Sequence, residues 1–140
     1  MSADQPRHGF HVVIAGGGVA ALEATLALRD LAGGLVEVTL VSPTDRFTFA
    51  PASVGVPFGK SVVRKFDLFR IANDLGVRLV VGAVAAVEPD RKRVILADGS
   101  LLDYRALLIA CGGAAREAIP GAVTFRGPAD VDSVRSLLGE

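Results

Sequence analysis

Phe10-His11-Val12-Val13-Ile14-Ala15-Gly16-Gly17-Gly18-Val19-Ala20-Ala21-Leu22-Glu23-Ala24-Thr25-Leu26-Ala27-Leu28-Arg29-Asp30-Leu31 is the stretch whose reading decides the fold. Val12, Val13 and Ile14 suit a strand buried on both faces, and the run from Leu22 to Leu31 has apolar residues at helical spacing among alanines that favour close packing. Between them, Gly16, Gly18 and Ala21 fill the three small-residue places of a strand–turn–helix that cradles a diphosphate. Gly16 permits the sharp turn, Gly18 removes the side chain that would block the phosphates, and Ala21 keeps helix close to strand. The unpaired amides and the dipole at the helix start then face the anion. A second strand, Val36 to Val41, completes a βαβ unit of about the ~30 residues such a unit needs.

The rest of the chain is consistent with one α/β core. It has 140 residues, 51% of them hydrophobic, and 15 basic residues balanced by 15 acidic ones. A neutral balance offers no general field for nucleic acid or an anionic membrane, so no nucleic-acid partner is expected. No apolar run reaches the ~18 residues of a membrane span, and the N-terminus lacks the cationic leader and cleavage site of a signal peptide. One cysteine, Cys111, precludes an internal disulfide framework, and cytoplasmic residence is the default expectation. His8 and His11 lack the spacing and companions of a metal site, so no metal is expected. Residues 1–9 read as a flexible tail.

At the end of the second strand, where an adenosine ribose lands in such units, stands Ser42, with Pro43 after it. A hydroxyl accepts hydrogen bonds more weakly than the usual carboxylate. Arg46 nearby is either a solvated loop charge or a partner for a ribose 2′-phosphate. Pro51, Gly55, Pro57 and Gly59 argue against regular structure between Phe47 and Lys60. Phe47, Phe49 and Phe58 either pack beneath that loop or flank a flat ring. Phe66 to Leu75 reads as a helix with Phe66, Phe69 and Ile71 inward, followed by a third parallel strand, Val77 to Val81.

The period then changes. Val84 to Glu88, Arg93 to Leu96 and Ser100 to Asp103 are short segments divided by Pro89-Asp90-Arg91-Lys92 and Asp98-Gly99, which reads as an antiparallel meander. Arg91-Lys92-Arg93 on its turn is a solvated cluster. Ala106 to Ala110 reads as a fourth buried strand ending at Cys111-Gly112-Gly113, where backbone can approach a ligand. Cys111 itself reads as a small, inert core residue. Asp130 is a candidate N-cap for a final helix with Val131, Val134, Leu137 and Leu138 on one face.

With these residues in view, the chain resembles the N-terminal FAD-binding region of the two-dinucleotide-binding-domain flavoproteins. These include the pyridine nucleotide-disulfide oxidoreductases, type II NADH dehydrogenases and sulfide:quinone reductases. Val12 to Gly18, the meander ending Leu102-Asp103-Tyr104, and Leu107 to Gly113 followed by Ile119-Pro120-Gly121 carry the resemblance, in the family's order. It implies an α/β fold: a Rossmann-like parallel sheet with an inserted antiparallel β-meander, forming an incomplete FAD-binding domain over residues 10–120. Residues 121–140 would then lead toward an absent NAD(P)H-binding domain. It further implies FAD pyrophosphate on the amides of Gly17, Gly18, Val19 and Ala20, the ribose near Ser42, and adenine against Val84 after Gly82-Ala83. The flavin side is implied near Pro51, with Ala110, Cys111 and Gly112 lining the cofactor and Cys111 standing in place of the family's threonine.

The paired cysteines of the disulfide reductases are absent, which points toward the NADH dehydrogenase or sulfide:quinone type. The implied parent uses NAD(P)H as co-substrate and passes electrons to a small-molecule acceptor such as a quinone. It has no transmembrane segment, and its membrane contact, if any, is peripheral. No catalytic residue is named by these motifs. An alternative reading is an NAD(P)- or ADP-binding module without redox activity, motivated by Ser42 and Arg46. If the strand that closes the sheet is missing, the fourth strand has an unpaired edge, and self-association through it is expected.

Overall fold

The computed structural model describes residues 9–113 and 115–139; most of the N-terminal stretch read as a tail, His8 included, lies outside them. The first strand, β1 (Phe10–Ala15), leads into helix α1 (Val19–Ala32), and β2 (Val36–Ser42) lies parallel to β1 with Val12 opposite Val38 and Ile14 opposite Leu40. Strands β5 (Arg78–Val81) and β9 (Ala106–Ile109) extend the sheet on either side in the order β5-β2-β1-β9, all parallel. The central strands are covered on both faces, which is why β1 and β2 are nearly continuous β-branched and apolar runs.

Alternation along β1 divides the core. Val12 and Ile14 join Val38, Leu40, Ala21 and Leu68 in one buried cluster, on the side of α1 and α2 (Leu68–Asp74). Val13 joins Val41, Val94 and Leu96 in the other, beneath a meander of β6 (Val84–Glu88), β7 (Arg93–Leu96) and β8 (Leu101–Asp103). The meander forms its own three-stranded antiparallel sheet, as its turn residues predict. Gly99 takes φ 85° in the Asp98-Gly99 turn, and Asp98 accepts the Ser100 amide at 2.9 Å. That hydrogen bond, with a second from the Ser100 hydroxyl, holds the Asp98 carboxyl below its usual range. Across the meander the Arg93 guanidinium donates to Asp103 at 2.8 Å.

Helix α1 packs through its smallest residues. Ala21 and Thr25 are fully buried, and the Thr25 hydroxyl donates to the Ala21 carbonyl at 2.8 Å, so this β-branched polar residue is satisfied within the helix. Leu26 and Leu31 share the helical spacing yet are 47% and 85% exposed, because α1 meets the sheet on one side only. Gly33, at φ 52°, ends the helix by donating to the Arg29 carbonyl.

Several sequence expectations need correction. The loop after β2 is more regular than its prolines and glycines suggest. Arg46–Thr48 (β3) pairs antiparallel with Lys65–Asp67 (β4), and a 3-10 turn spans Ala50–Gly55. Phe66 therefore belongs to a strand, not to the following helix. Its ring lies 5.9 Å from that of Phe47, and α2 starts two residues later, at Leu68. Asp67 caps α2 by accepting the amides of Phe69 and Arg70; Leu68 and Ala72 are buried and Ile71 packs partly buried against the same core, while Phe66 and Phe69 are exposed. Full burial of Leu68 stabilises the fold by about 2 kcal/mol. Strand β9 stops at Ile109, so Ala110 and Cys111 lie past the sheet, and Cys111 is exposed where a core thiol was expected.

At the far end, α3 (Val131–Leu138) forms, but Asp130 does not cap it through its side chain. That carboxylate accepts the Arg126 amide at 2.7 Å instead. Of the expected apolar face, Val131 is buried while Leu137 and Leu138 are exposed.

Candidate functional site

The carboxyl ends of the parallel strands are drawn together by backbone hydrogen bonds. The Gly16 amide donates to the Val41 carbonyl at 2.7 Å, Ala110 to Ala15 at 2.7 Å, and Gly82 to Ser42 at 2.8 Å. Around these joints opens a cavity of about 520 Å³, floored by the glycine-rich turn. This is the position where open parallel sheets bind ligands, and the size is that of a small-molecule site.

The three glycines of the turn divide the work. Gly16 takes φ 143°, and a Cβ there would drive into the carbonyl group of Ala110. At Gly17 a Cβ would collide with the Ser42 side chain, whose own Cβ would lie 2.8 Å away. Both are therefore required by the fold. At Gly18 a Cβ would meet nothing within 4 Å. No internal neighbour keeps that position bare; the empty space there lies in front of the opening of α1.

Leu22 is the first amide of α1 to bond within the helix, reaching the Gly18 carbonyl at 3.1 Å. The amides of Val19, Ala20 and Ala21 precede it and have no intrahelical acceptor. Gly18 is the N-cap without a side-chain cap, and the first turn carries no acid. The helix dipole adds roughly half a positive charge at this end. A diphosphate fits such a cradle: open backbone at Gly18, helix-opening amides without an intrahelical acceptor, and no acid in the first turn.

Twelve of the predicted residues line the one cavity: Gly16, Gly17, Gly18, Val19, Ala20, Ser42, Pro43, Arg46, Val84, Ala110, Cys111 and Gly112. Two predicted residues do not. Ala21 is fully buried in the helix-side core, where it sets the approach of α1 to β1. Pro51 is exposed on the 3-10 turn and is not part of the cavity wall. Phe47, Phe49 and Phe58 also stand apart from the wall.

Ser42 is buried, and its hydroxyl accepts the Thr44 amide at 3.4 Å, so it is engaged within the protein beneath Gly17. Val41 and Thr44 complete the wall on this side and were not anticipated. The Thr44 hydroxyl donates to the Arg46 carbonyl at 3.1 Å. Thr44's place, two residues past β2, was its only sequence signal. The Cys111 thiol donates to the Ala15 carbonyl at 3.4 Å, tying the fourth-strand exit to the turn. His11 sits at the opposite end of the sheet, where its Nε2 pairs with the Thr39 hydroxyl at 2.8 Å. Among the described residues, no group of His, Cys, Asp and Glu is placed to hold a metal, and no helix is long and apolar enough to cross a membrane.

Comparison with known proteins agrees with this fold. A sulfide-quinone reductase of Aquifex aeolicus (strain VF5) is 30% identical over 107 residues, a match that covers 73% of this chain and 24% of the relative. The X-ray structure of the sulfide:quinone oxidoreductase from Aquifex aeolicus superposes with a TM-score of 0.79 at 22% identity, over 92% of this chain and 31% of that one. The reductase in the covalent putidaredoxin reductase–putidaredoxin complex gives 0.69 at 28% identity, over 91% and 34%. The chain thus spans about a quarter of the curated relative's length. The pyridine nucleotide-disulphide oxidoreductase family matches residues 10–139, strand, glycine turn, meander and final helix together, and the chain belongs to that family of FAD-dependent oxidoreductases.

Proposed function

We propose that this chain is the FAD-binding part of an NAD(P)H-dependent flavin oxidoreductase that delivers electrons to a quinone or another acceptor. The observation that carries the reading is the bare backbone at Gly18, the N-cap of a helix whose first amides have no intrahelical acceptor. In this reading the amides of Gly18, Val19 and Ala20 bind the diphosphate, and the wall at Pro43 and Thr44 receives the ribose. Val84 and Ala83 flank the adenine, and Ala110 to Gly112 border the cofactor on the β9 side. FAD, when bound, supplies the hydride and electron chemistry; these residues hold and orient it. Residues 10–120 form the binding part in this proposal, and residues 121–140 lead on toward a nicotinamide-binding portion. A sulfide-quinone reductase and a putidaredoxin reductase are among the relatives, and they motivate a quinone or a small redox protein as acceptor.

The test is direct. FAD titrated into the chain is expected to raise its melting temperature, and ADP is expected to do the same, since both present the diphosphate and adenosine. A chain that responds to neither does not have this function. A second reading has its own support: among the described residues, Arg46 is the one charged side chain in the cavity wall. If NADP stabilises the chain clearly more than FAD, the nucleotide is a phosphorylated one and the chain is an NADP-binding module.

We also propose that the chain self-associates through β9. Its outer edge has no partner strand among the described residues, and Leu108 and Ile109 are 40% and 66% exposed. The four residues of β9 include none of the charges or prolines that blunt such edges. Light scattering is expected to show dimers at high concentration that Leu108→Lys returns to monomers. A strict monomer in the parent chain defeats this proposal.

A further inference from the structure

Arg46 joins two parts of the molecule. It is half exposed at the cavity wall, and in the β3–β4 ladder it lies directly opposite Asp67. The guanidinium Nη1 is 3.6 Å from Asp67 Oδ2, and Nε is 3.8 Å from Asp45 Oδ1. Neither distance is that of a hydrogen bond. Asp67 is the fixed member of its pair, because its Oδ1 caps α2 by accepting Phe69 at 2.9 Å and Arg70 at 3.2 Å. Arg46 is the adjustable member: among the described residues, this long side chain is held by loose ion pairs alone, beside a cavity with no other formal charge on its wall.

Resting on the adenine-dinucleotide reading of the cavity, we infer that Arg46 exchanges partners when nucleotide binds, leaving Asp67 for a phosphate of the ligand. A phosphate offers the guanidinium paired, charge-assisted hydrogen bonds that neither carboxylate gives it at these distances. Asp67 is then a competitor of the ligand. Whatever fraction of the chain keeps Arg46 on Asp67 lowers the apparent affinity by that fraction. The competition also links the site to α2, since the same carboxylate caps that helix.

This arrangement gives a sign that a purely structural role does not: neutralising Asp67 tightens binding. Asp67→Asn keeps a good N-cap residue while removing the charge. In calorimetric titrations with ADP, Asp67→Asn is expected to bind about 3-fold more tightly than the parent chain, the scale of a half-exposed ion pair. Arg46→Gln is expected to bind about 10-fold more weakly, the scale of a charged hydrogen bond. In the Arg46→Gln background, adding Asp67→Asn should change nothing. Repeating the series with 2′-phospho-AMP tells which phosphate Arg46 takes. A gain confined to ADP assigns the diphosphate, and a gain confined to 2′-phospho-AMP assigns the ribose phosphate; either supports the exchange. Binding by the parent with Asp67→Asn unchanged or weaker for both nucleotides overturns the exchange alone, as does a gain that persists without Arg46. Failure of the parent chain to bind either nucleotide overturns the cavity's proposed function and this inference with it. Circular dichroism of each variant, unchanged, confirms that α2 is intact.

Discussion

Gly18→Asp should give a chain at least as stable as the parent that has lost about 100-fold or more of its affinity for ADP and FAD. The two effects have opposite signs for one reason. Gly18 is the N-cap of α1 at φ −92°, ψ −171°, an extended conformation open to any residue, and nothing lies within 4 Å of the Cβ that aspartate would add. Aspartate is among the preferred N-caps and interacts favourably with the dipole, so the helix gains a few tenths of a kcal/mol relative to glycine. The same carboxylate occupies the space in front of the Val19 and Ala20 amides and takes the donors meant for phosphate. Like charges about 4 Å apart repel by about 4 kcal/mol at the effective dielectric of a protein surface, more than the ~2.7 kcal/mol that a 100-fold loss requires. Gly18→Asn separates shape from charge: it caps the helix too, and should lose only about 10-fold through steric competition and lost donors. The measurements are a melting curve for stability and titration calorimetry for ADP. Nucleotide binding by Gly18→Asp at the parent's affinity would place the diphosphate elsewhere and remove the basis of the proposed function.

What was legible in the sequence follows from how local each constraint is. The Gly16–Ala21 turn is a constraint between residues a few positions apart, and its strand and helix follow in the same window, so β1, α1 and β2 could be located from pattern alone. The meander was equally visible because Pro89 and the Asp98-Gly99 pair mark turns by their own chemistry. The error at Phe66 has the opposite origin. Phe66, Phe69 and Ile71 suggest one apolar helical face, whereas Phe66 pairs with Phe47, nineteen positions earlier in a hairpin whose ladder no local window contains. Asp67 is the boundary signal that was available, a capping residue immediately before Leu68, with Leu68 and Ala72 at the i, i+4 spacing of the buried face. Phe47, read as packing beneath the loop or flanking a flat ring, stands apart from the cavity wall with its ring against that of Phe66.

The candidate site divides along the same line. The residues of its floor came from the motif, and those of its far walls, Val84 and Ala110 to Gly112, came from the family resemblance. The motif could not show that Ser42 is buried under Gly17, because that contact joins β2 to the turn across the sheet. Nor could it show that Arg46 faces Asp67, a relation set by hairpin register. Pro51 was carried to the cofactor by resemblance alone. Its 3-10 turn is held by local bonds such as Ser53 hydroxyl to the Ala50 carbonyl, and none of these draws it into the cavity wall.

Gly16→Ala should have the largest effect on stability of any single methyl added to the turn, a loss of about 3 kcal/mol or more in urea denaturation followed by circular dichroism. Three costs coincide at this position. Alanine at φ 143° is strained by about 1–3 kcal/mol. Its methyl would run into the Ala110 carbonyl group, with the carbonyl carbon 2.6 Å away, and that segment cannot move aside freely because the Ala110 amide is bonded to Ala15 at 2.7 Å. Any shift that relieves the clash also stretches the 2.7 Å bond from the Gly16 amide to Val41, and a broken buried backbone bond costs a further ~1–3 kcal/mol. The residue thus sits where β1, β2 and β9 are tied together, and a small domain with about 5–15 kcal/mol of total stability has little margin at such a joint. Gly18→Ala, two residues on, adds the same methyl into open space at a permitted φ and should cost less than about 1 kcal/mol. The contrast between the two substitutions is what discriminates: equal costs, or a cost below 1 kcal/mol at Gly16, would mean that the turn yields. The amides that open α1 would then be free to diverge, and a cradle that depends on their convergence would have no rigid support.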